Sequence, residues 1–214
     1  MSKLHISFEI KSMRGMFWVP LIAIILCFLY FIYLTSNQTL DVLLALPTFE
    51  FIIVPLSSWW ITYLFYDYYE NHALEVLLSY PVSEAEHGFF RILFFILLYT
   101  LSTLFLIGYI VMFSDASLSL LLLQYVPQYL FFAGLSFLCM TLFQNIGVAL
   151  TVLAFYTATE FLTGGQLIPW YHVFFYNEDF LDFSQIVNKS VFTLAIGLIL
   201  IKLGGYFLKN IRHS

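Results

Sequence analysis

Residues 67–91 read Asp67-YYENHALEVLLSYPVSEAEHGFF-Arg91, a polar and acidic stretch between two long apolar runs. Nearly everything around it is compatible with lipid, so this stretch divides the chain into membrane segments before and after it. A chain that keeps one sizeable loop in water, and gives that loop helical periodicity, is expected to contact something there.

The composition excludes an ordinary soluble domain. Hydrophobic residues make up 62% of the chain and charged residues 10%, whereas a typical soluble domain has about 25% charged residues. No soluble fold of this size could cover so much apolar surface, and the expected solvent is a bilayer. Cys27 and Cys139 both fall in apolar runs, which predicts buried thiols rather than a disulfide.

Six apolar stretches are long enough to cross a membrane as helices, which takes about 20 residues for roughly 30 Å of hydrocarbon. They are residues 16–35, 49–67, 91–113, 118–142, 146–164 and 190–208. The second is interrupted by Pro55, Ser57 and Ser58, which neighbouring helices and Ser hydroxyls can accommodate. The sequence therefore predicts an all-α membrane protein with a single transmembrane domain over residues 1–214.

Basic residues are distributed unevenly along these spans. Six crossings with a cytoplasmic N-terminus place seven of the eight Lys and Arg residues on the cytoplasmic side and leave Lys189 alone outside. Since cytoplasmic loops carry the excess of Lys and Arg, we expect a multi-pass protein of the cell membrane with both termini in the cytoplasm.

The N-terminal segment, residues 1–15, has helical periodicity. Ile6, Ile10, Met13 and Phe17 form one apolar stripe at three- to four-residue spacing, with basic residues between them. This pattern predicts an amphipathic helix lying on the inner membrane surface; a frayed cytoplasmic tail is the alternative.

A short helix is also predicted inside the polar loop, residues 68–90. Leu74, Leu77 and Leu78 fall at positions i, i+3 and i+4, and Pro81 ends the pattern. About two turns of helix are too short to be stable alone in water, so the helix must pack against its own bundle, the lipid surface or a partner. The excess of acidic residues argues against anionic lipid and favours a protein partner.

The run Glu70-NHALEVLLSYPV-Ser83, followed by Arg91 at the start of the third span, resembles the loop of type 2 ATP-binding cassette (ABC) exporter permeases. In that family an acidic residue, a small-residue turn, Leu-Glu, an apolar pair and Pro-Val/Leu-Ser precede a basic residue that opens the third span. His72 stands where Gly is usual, and Glu84 where a basic residue is usual.

This resemblance implies a coupling helix between spans two and three, an interfacial N-terminal helix and short re-entrant helices before the sixth span. It also implies a second six-span subunit, identical or different, and a separate ABC ATPase subunit. The residues expected to transmit motion from that ATPase are Glu70, Leu74, Glu75, Leu77, Leu78 and Pro81.

Residues 165–189 form an aromatic-rich segment that is too interrupted to span. Gly and Pro residues allow it to turn, and Trp and Tyr prefer the membrane interface. We expect a re-entrant or interfacial hairpin that closes the external mouth, with Trp170 and Phe174 as gate residues; an interfacial aromatic belt without a gating role is the alternative.

Few polar residues within the spans are available to line a path through the bundle. They are Gln124, Gln128, Gln144, Asn145 and Glu160. Glu160 fits equally well as a residue of the path and as a surface acid that reaches the interface. Pro127, between Gln124 and Gln128, predicts a kink whose polar side faces the bundle.

The chain lacks the G-x-x-x-x-G-K-[ST] motif, and its five His are scattered, so neither an ATP site, a metal site nor an enzymatic activity is predicted on it. ATP and Mg²⁺ are expected on the partner ATPase, and nucleic acid is not an expected partner. The leading hypothesis is a permease subunit that exports an amphipathic or hydrophobic molecule, such as a peptide, a lipid-linked molecule or an antibiotic. The alternatives are the six-span binding module of a small-molecule importer and a membrane immunity or scaffold protein.

The topology is tested by cysteine labelling in intact cells. Asp115→Cys and Asp179→Cys should react with an impermeant maleimide applied outside, whereas Glu84→Cys should not, because six crossings put the first two positions outside and the third inside. Labelling of Glu84→Cys without labelling of Asp179→Cys would reverse the assignment.

Overall fold

The computed structural model describes residues 6–37, 42–66, 69, 88–113, 117–165, 172–175 and 183–213. Its elements are α1 (Ile6–Ser12), a 3₁₀ turn (Arg14–Phe17), α2 (Trp18–Ser36), α3 (Val42–Thr48), a π-helical turn (Phe49–Ile53), α4 (Val54–Leu64), α5 (Phe89–Met112), α6 (Leu118–Phe143), α7 (Ile146–Thr163) and α8 (Phe183–His213). All regular structure in these ranges is helical, which confirms the predicted all-α class.

Five of the described helical segments are long and apolar enough to cross a membrane. They are Arg14–Ser36, Phe89–Met112, Leu118–Phe143, Ile146–Thr163 and Phe183–Lys209. Large apolar side chains such as Leu26, Phe105 and Leu162 lie on their exposed faces, where a soluble protein would present polar groups. These helices indicate a multi-pass membrane protein.

The second predicted span, 49–67, coincides with a composite helix. Helical backbone continues from Val42 to Leu64 through α3, the π-turn and α4, with Pro47 inside α3 and Pro55 at the start of α4. Prolines remove backbone donors, and local hydroxyls satisfy some of the carbonyls nearby: Ser57 Oγ donates to the Val54 carbonyl at 2.7 Å.

The last helix begins earlier than predicted. Residues 183–189, which the sequence assigned to the external segment, are the first turns of α8. The polar residues of these turns, Ser184, Gln185 and Asn188, are exposed, while Ile186 is buried. The apolar run begins only after Lys189. The helix nevertheless begins at Phe183, because the polar residues of its first turns lie on one exposed side.

The N-terminal stripe is divided between two elements. Helix α1 ends at Ser12, and Arg14 has a positive φ of 49°, which an L-residue adopts at a cost of about 1–2 kcal/mol. Met13 is buried, and the Phe17 ring stacks on the Trp60 ring at 5.0 Å between centroids. Phe17 therefore packs against α4, and the helix that carries the start of the stripe is interrupted before it.

Helix α6 is the most buried of the long helices and packs parallel to the composite helix. Phe49 stacks on Tyr125 at 4.3 Å between ring centroids, and Phe65 contacts Phe137 at 4.7 Å. The residue numbers of both helices thus increase in the same direction along this contact. Hydroxyl groups line the seam, where Thr62 Oγ1 and Ser136 Oγ are 2.6 Å apart.

Helices α6 and α8 also run parallel and approach closely at glycines. A Cβ atom placed on Gly134 would lie 2.7 Å from the Gly197 carbonyl oxygen, and one on Gly197 would lie 2.9 Å from the backbone nitrogen of Phe131. About two turns further along α8, a Cβ on Gly204 would lie 2.6 Å from the Phe137 ring. Small residues allow such backbone approach within membranes, where packing drives helix association.

Helices α6 and α7 form a tight antiparallel hairpin, with only Gln144 and Asn145 between them. Gln144 ends α6 in the left-handed conformation with a φ of 51°. Asn145 caps α7, and its Oδ1 accepts a hydrogen bond from the Val148 N–H at 3.1 Å. Cys27 and Cys139 are both buried and reduced, as predicted.

Substitution of Gly197 by Ala should destabilise the bundle by about 1–3 kcal/mol, because the added methyl meets backbone atoms that cannot turn away. Thermal unfolding of the detergent-purified variant should show a lowered Tm. Gly205→Ala is the matched control, since a Cβ there meets nothing within 4 Å and Ala favours the helix. Equal Tm values for the two variants would contradict the close α6–α8 contact.

Candidate functional site

The residues predicted to couple to an ATPase, Glu70, Leu74, Glu75, Leu77, Leu78 and Pro81, lie outside the described residues, as does Trp170. The structure does describe the two ends of the polar loop and most of the predicted path residues. Two constellations of polar side chains result, one at the base of the loop and one deep in the bundle.

At the base of the loop, Arg91 joins three elements. It lies in the first turn of α5, is 4% exposed and forms an ion pair with Glu9 of α1. Its guanidinium carbon also lies 5.7 Å from the centre of the Phe65 ring, just past the end of α4. Cation–π and ion-pair contacts both gain strength when water is excluded, so Arg91 ties α1, α4 and α5 together where the loop begins and ends.

Two tryptophans of α4 extend this block to the start of α2. Trp59 Nε1 donates to the Met16 carbonyl at 3.0 Å, and Trp60 Nε1 donates to the Phe17 carbonyl at 2.8 Å. Pro20 has no N–H for the Met16 carbonyl, and Trp59 supplies a donor in its place. The first turns of α2 are thereby fixed to the same block as Arg91.

The second constellation is centred on Glu50, which is 1% exposed. Glu50 lies in the π-helical turn Phe49–Ile53, a kind of turn that is frequent at functional sites. Its Oε1 accepts a hydrogen bond from Gln128 Nε2 of α6 at 2.8 Å. Both of its oxygens accept from the Phe175 N–H, at 3.1 and 3.0 Å. The carboxylate thus joins the composite helix, α6 and the segment before α8.

Residues Val173, Phe174 and Phe175 of that segment are buried without regular secondary structure. Backbone groups buried in this way need partners. Besides the bond from Phe175 to Glu50, Gln128 Nε2 donates to the Val173 carbonyl at 3.0 Å, and Lys189 Nζ donates to the Phe174 carbonyl at 2.5 Å. We call residues 173–175 the inserted segment, since side chains of three helices hold its backbone.

Lys189 and Glu160 are two further charged residues of this network. The Lys189 ammonium lies 4.4 Å from the centre of the Phe175 ring, and the Glu160 carboxylate lies within electrostatic range of Lys189. Glu160 is 1% exposed, so its side chain is covered by other parts of the bundle. Among the described residues, this network therefore contains the carboxyl groups of Glu50 and Glu160 and the ammonium group of Lys189.

Aromatic rings pack on the inserted segment and on one another beside Glu50 and Glu160, and we call them the aromatic shell. Phe51 of the π-turn contacts Phe161 of α7 at 3.9 Å and Phe174 at 6.0 Å between centroids. Phe132 of α6 stacks on Phe174 at 5.8 Å and meets Tyr156 at 5.9 Å. The predicted gate residue Phe174 is 1% exposed and sits inside this aromatic shell.

Of the predicted path residues, the structure brings Gln128 and Glu160 into one network and leaves the others elsewhere. Gln124 is half-buried one turn before Gln128. Gln144 and Asn145 are exposed at the α6–α7 turn, where their helix-ending geometry explains their presence. A path role for these three stays a prediction.

Sequence reasoning missed Glu50 and misplaced Lys189. A signal for Glu50 was present, because an acidic residue between Phe49 and Phe51 inside an apolar run is a functional-site candidate. Lys189 was assigned to an external loop, whereas it lies on α8 and reaches back to the inserted segment.

Comparison of the chain with family models, with curated proteins and with solved structures found no match.

Gln128→Leu should loosen the inserted segment. Glu50 and the Val173 carbonyl each lose a buried donor, at a cost of about 1–3 kcal/mol. In a Val173→Cys background, labelling by an impermeant maleimide should then be faster than with native Gln128. Gln124→Leu in the same background is the matched control, and a rate unchanged by Gln128→Leu would show that the amide does not hold the segment.

Proposed function

We propose that the chain is the membrane-spanning subunit of an ABC exporter, driven by a separate ATPase that docks on the polar loop. The observation that carries this proposal is the composite helix that joins the two constellations. Glu50 lies in its π-turn, and Phe65, just past its end, lies beneath the guanidinium of Arg91. About 15 residues of helix separate them, or roughly 22 Å, so one element links the base of the loop with the inserted segment.

The composite helix serves in this proposal as the second of six spans. Residues 42–64 would extend for about 34 Å at the usual rise, enough to cross the hydrocarbon. Its direction supports the assignment, because it runs parallel to α6. Helix α5 starts with Arg91 beside the end of this composite helix and therefore returns in the opposite direction.

The orientation of the charged groups agrees with a cytoplasmic loop. With the N-terminus inside, the Arg91–Glu9 pair lies at the inner membrane surface. The Glu50 network then lies in the outer half of the bundle, since Glu50 is near the outer start of its span and Glu160 is near the outer end of α7. The inserted segment would be the part of the external hairpin that closes the mouth.

A mechanism follows from this arrangement. An ATPase that displaces the loop would move the block of α1, α4 and α5 that Arg91 holds together. Because the π-turn continues into α4, such a movement would shift the Glu50 carboxylate relative to Gln128 and Phe175. Both hydrogen bonds are short-ranged and lose strength steeply with distance and angle, so a small displacement would release the inserted segment.

The remaining parts of the proposal concern partners. Two six-span subunits, identical or different, would enclose the path and present one coupling helix to each of two ATPases. ATP and Mg²⁺ would bind only to those ATPases. The aromatic shell around the network fits an amphipathic or hydrophobic substrate.

Docking is tested by the double substitution Leu77→Asp and Leu78→Asp in the tagged chain. We expect membrane insertion to persist and an ATPase with a P-loop to disappear from the co-purified proteins, because the new carboxylates would be buried unpaired at a cost of several kcal/mol. Ser119→Asp, at an exposed position in the first turn of α6, is the control. Recovery of the same ATPase in equal amount by the double variant would refute docking at these leucines, and absence of any ATPase with the native chain would refute the exporter proposal.

A further inference from the structure

The last part of α8 carries a positive charge on a surface that otherwise suits lipid. Lys202 is exposed, and so are Ile199, Leu203 and Tyr206 around it. No described residue forms an ion pair with Lys202, and α8 contains no Asp or Glu. Charged residues within spans usually face the bundle interior or a water-filled cavity, so a lysine on the outer surface of a span requires an explanation.

The backbone of Lys202 lies within the span rather than at its end. The exposed polar turn at residues 144–145 marks the end of the bundle on this side. Gly204, two residues after Lys202, packs on the Phe137 ring, and α6 continues beyond Phe137 to Phe143. At the usual rise per residue, Lys202 therefore lies roughly 10 Å from that end. Lysine side chains extend from such a depth towards the surface, where the ammonium group meets lipid head groups.

Two further polar side chains follow Lys202 on the same side of α8. Tyr206 and Lys209 are both exposed, at positions i+4 and i+7 from Lys202, a spacing that places side chains on one face of a helix. They lie one and two turns nearer the end of the bundle. Two ammonium groups and a phenol hydroxyl thus follow one another towards the surface, and each can donate a hydrogen bond to an anion.

Gly205 lies among these residues and leaves a notch in the surface of α8. A Cβ atom on Gly197 or Gly204 would meet atoms of α6, whereas one on Gly205 would meet nothing within 4 Å. Glycine inside a helix is destabilising relative to alanine, and packing within the described chain does not require it at this position. The notch allows a neighbouring molecule to approach the helix backbone closely. We call Lys202, Gly205, Tyr206 and Lys209 the Lys202 face.

We propose that the Lys202 face binds an acidic phospholipid of the leaflet at this end of the bundle. The ammonium groups of Lys202 and Lys209 and the Tyr206 hydroxyl bind the anionic head group. An acyl chain passes through the notch at Gly205 towards the exposed side chain of Leu198. In the six-span orientation this is the cytoplasmic leaflet, whose surface is negatively charged. The inference does not depend on the exporter proposal and assigns a site outside the Glu50 network.

The charge of this face favours a lipid over a second copy of the chain. Two copies that met through the same face across a two-fold axis would bring Lys202 and Lys209 of both against each other, and like charges repel one another. A zwitterionic lipid carries an ammonium group of its own and gains less from these lysines. An acidic phospholipid complements both the charges and the apolar surroundings.

The test compares dioleoylphosphatidylglycerol with dioleoylphosphatidylcholine, which has the same acyl chains and phosphate but a zwitterionic head group. The delipidated full chain in detergent is titrated with each lipid, and bound lipid is counted by native mass spectrometry. We expect the native chain to bind phosphatidylglycerol more tightly. Lys202→Gln should lower this preference about fivefold, the usual contribution of one basic residue near an acidic membrane surface, and Lys202→Arg should retain it.

Two variants separate a specific site from general attraction of charge. Lys11→Gln is the matched control, since Lys11 is an exposed basic residue on α1, and it should leave the preference unchanged. Gly205→Leu fills the notch without changing any charge and should weaken the binding of phosphatidylglycerol.

Equal binding of the two lipids by the native chain, equal losses in Lys202→Gln and Lys11→Gln, or undiminished binding by Gly205→Leu would overturn the proposal. Displacement of the lipid by an equal concentration of glycerophosphoglycerol would also overturn it, because the head group would then bind without its acyl chains. A native dimer that Lys202→Gln converts to a monomer would assign the face to a second copy instead.

Discussion

A carboxylate enclosed in an apolar bundle is the constraint on which the rest of this structure depends. Within a bilayer, water does not satisfy polar groups, and each one left unpaired costs several kcal/mol. Glu50 meets this requirement by accepting from the Gln128 amide and from the Phe175 N–H. The buried backbone of the inserted segment also needs partners, and its carbonyls accept hydrogen bonds from Gln128 and Lys189. Each group satisfies the others, so the segment and the network can be buried only together.

The two contacts of helix α6 differ in how much movement they allow. Towards α8 the backbones meet at Gly134 and Gly197 with no space for a methyl group, and close-packed surfaces of this kind resist displacement. Towards α4 the contact contains the hydroxyls of Thr62 and Ser136. These hydroxyls can exchange their mutual hydrogen bond for bonds to neighbouring carbonyls, and Ser136 Oγ already donates to the Ser58 carbonyl at 3.3 Å. We therefore expect movement between the composite helix and α6 rather than between α6 and α8.

The features predicted from sequence are those that depend on local composition. Long apolar runs identify α2, α5, α6 and α7 within a few residues, because a span needs little more than length and hydropathy. The polar pair Gln144-Asn145 identifies a turn for the same local reason. The composite helix is harder to recognise, since Pro47, Glu50 and Pro55 each contradict a helical span when they are considered one at a time. Its continuity depends on donors and acceptors from α5 and α6, such as the Tyr99 hydroxyl that donates to the Ile53 carbonyl at 2.5 Å.

The site is less accessible to sequence reasoning than the fold, because its contacts join distant parts of the chain. Gln128 and Glu160 were recognisable as polar residues in apolar runs, but nothing local pairs Gln128 with Glu50, which lies 78 residues away, or Glu50 with Phe175, which lies 125 residues away. The position of Lys189 was misjudged because the sixth span was assumed to begin with the apolar run that follows this basic residue. Its side chain instead supplies the charge that the Phe174 carbonyl and the Phe175 ring require.

The charge of Glu50 is not needed to hold the inserted segment in place. A glutamine at position 50 could accept from the Phe175 N–H with its own carbonyl oxygen, and it would carry no charge into the bundle. A neutral residue would therefore give a comparable closed arrangement at a lower desolvation cost. Local choices that cost stability are concentrated at functional positions in natural proteins. Glu50 is therefore a candidate functional position, because the closed arrangement alone does not require its charge.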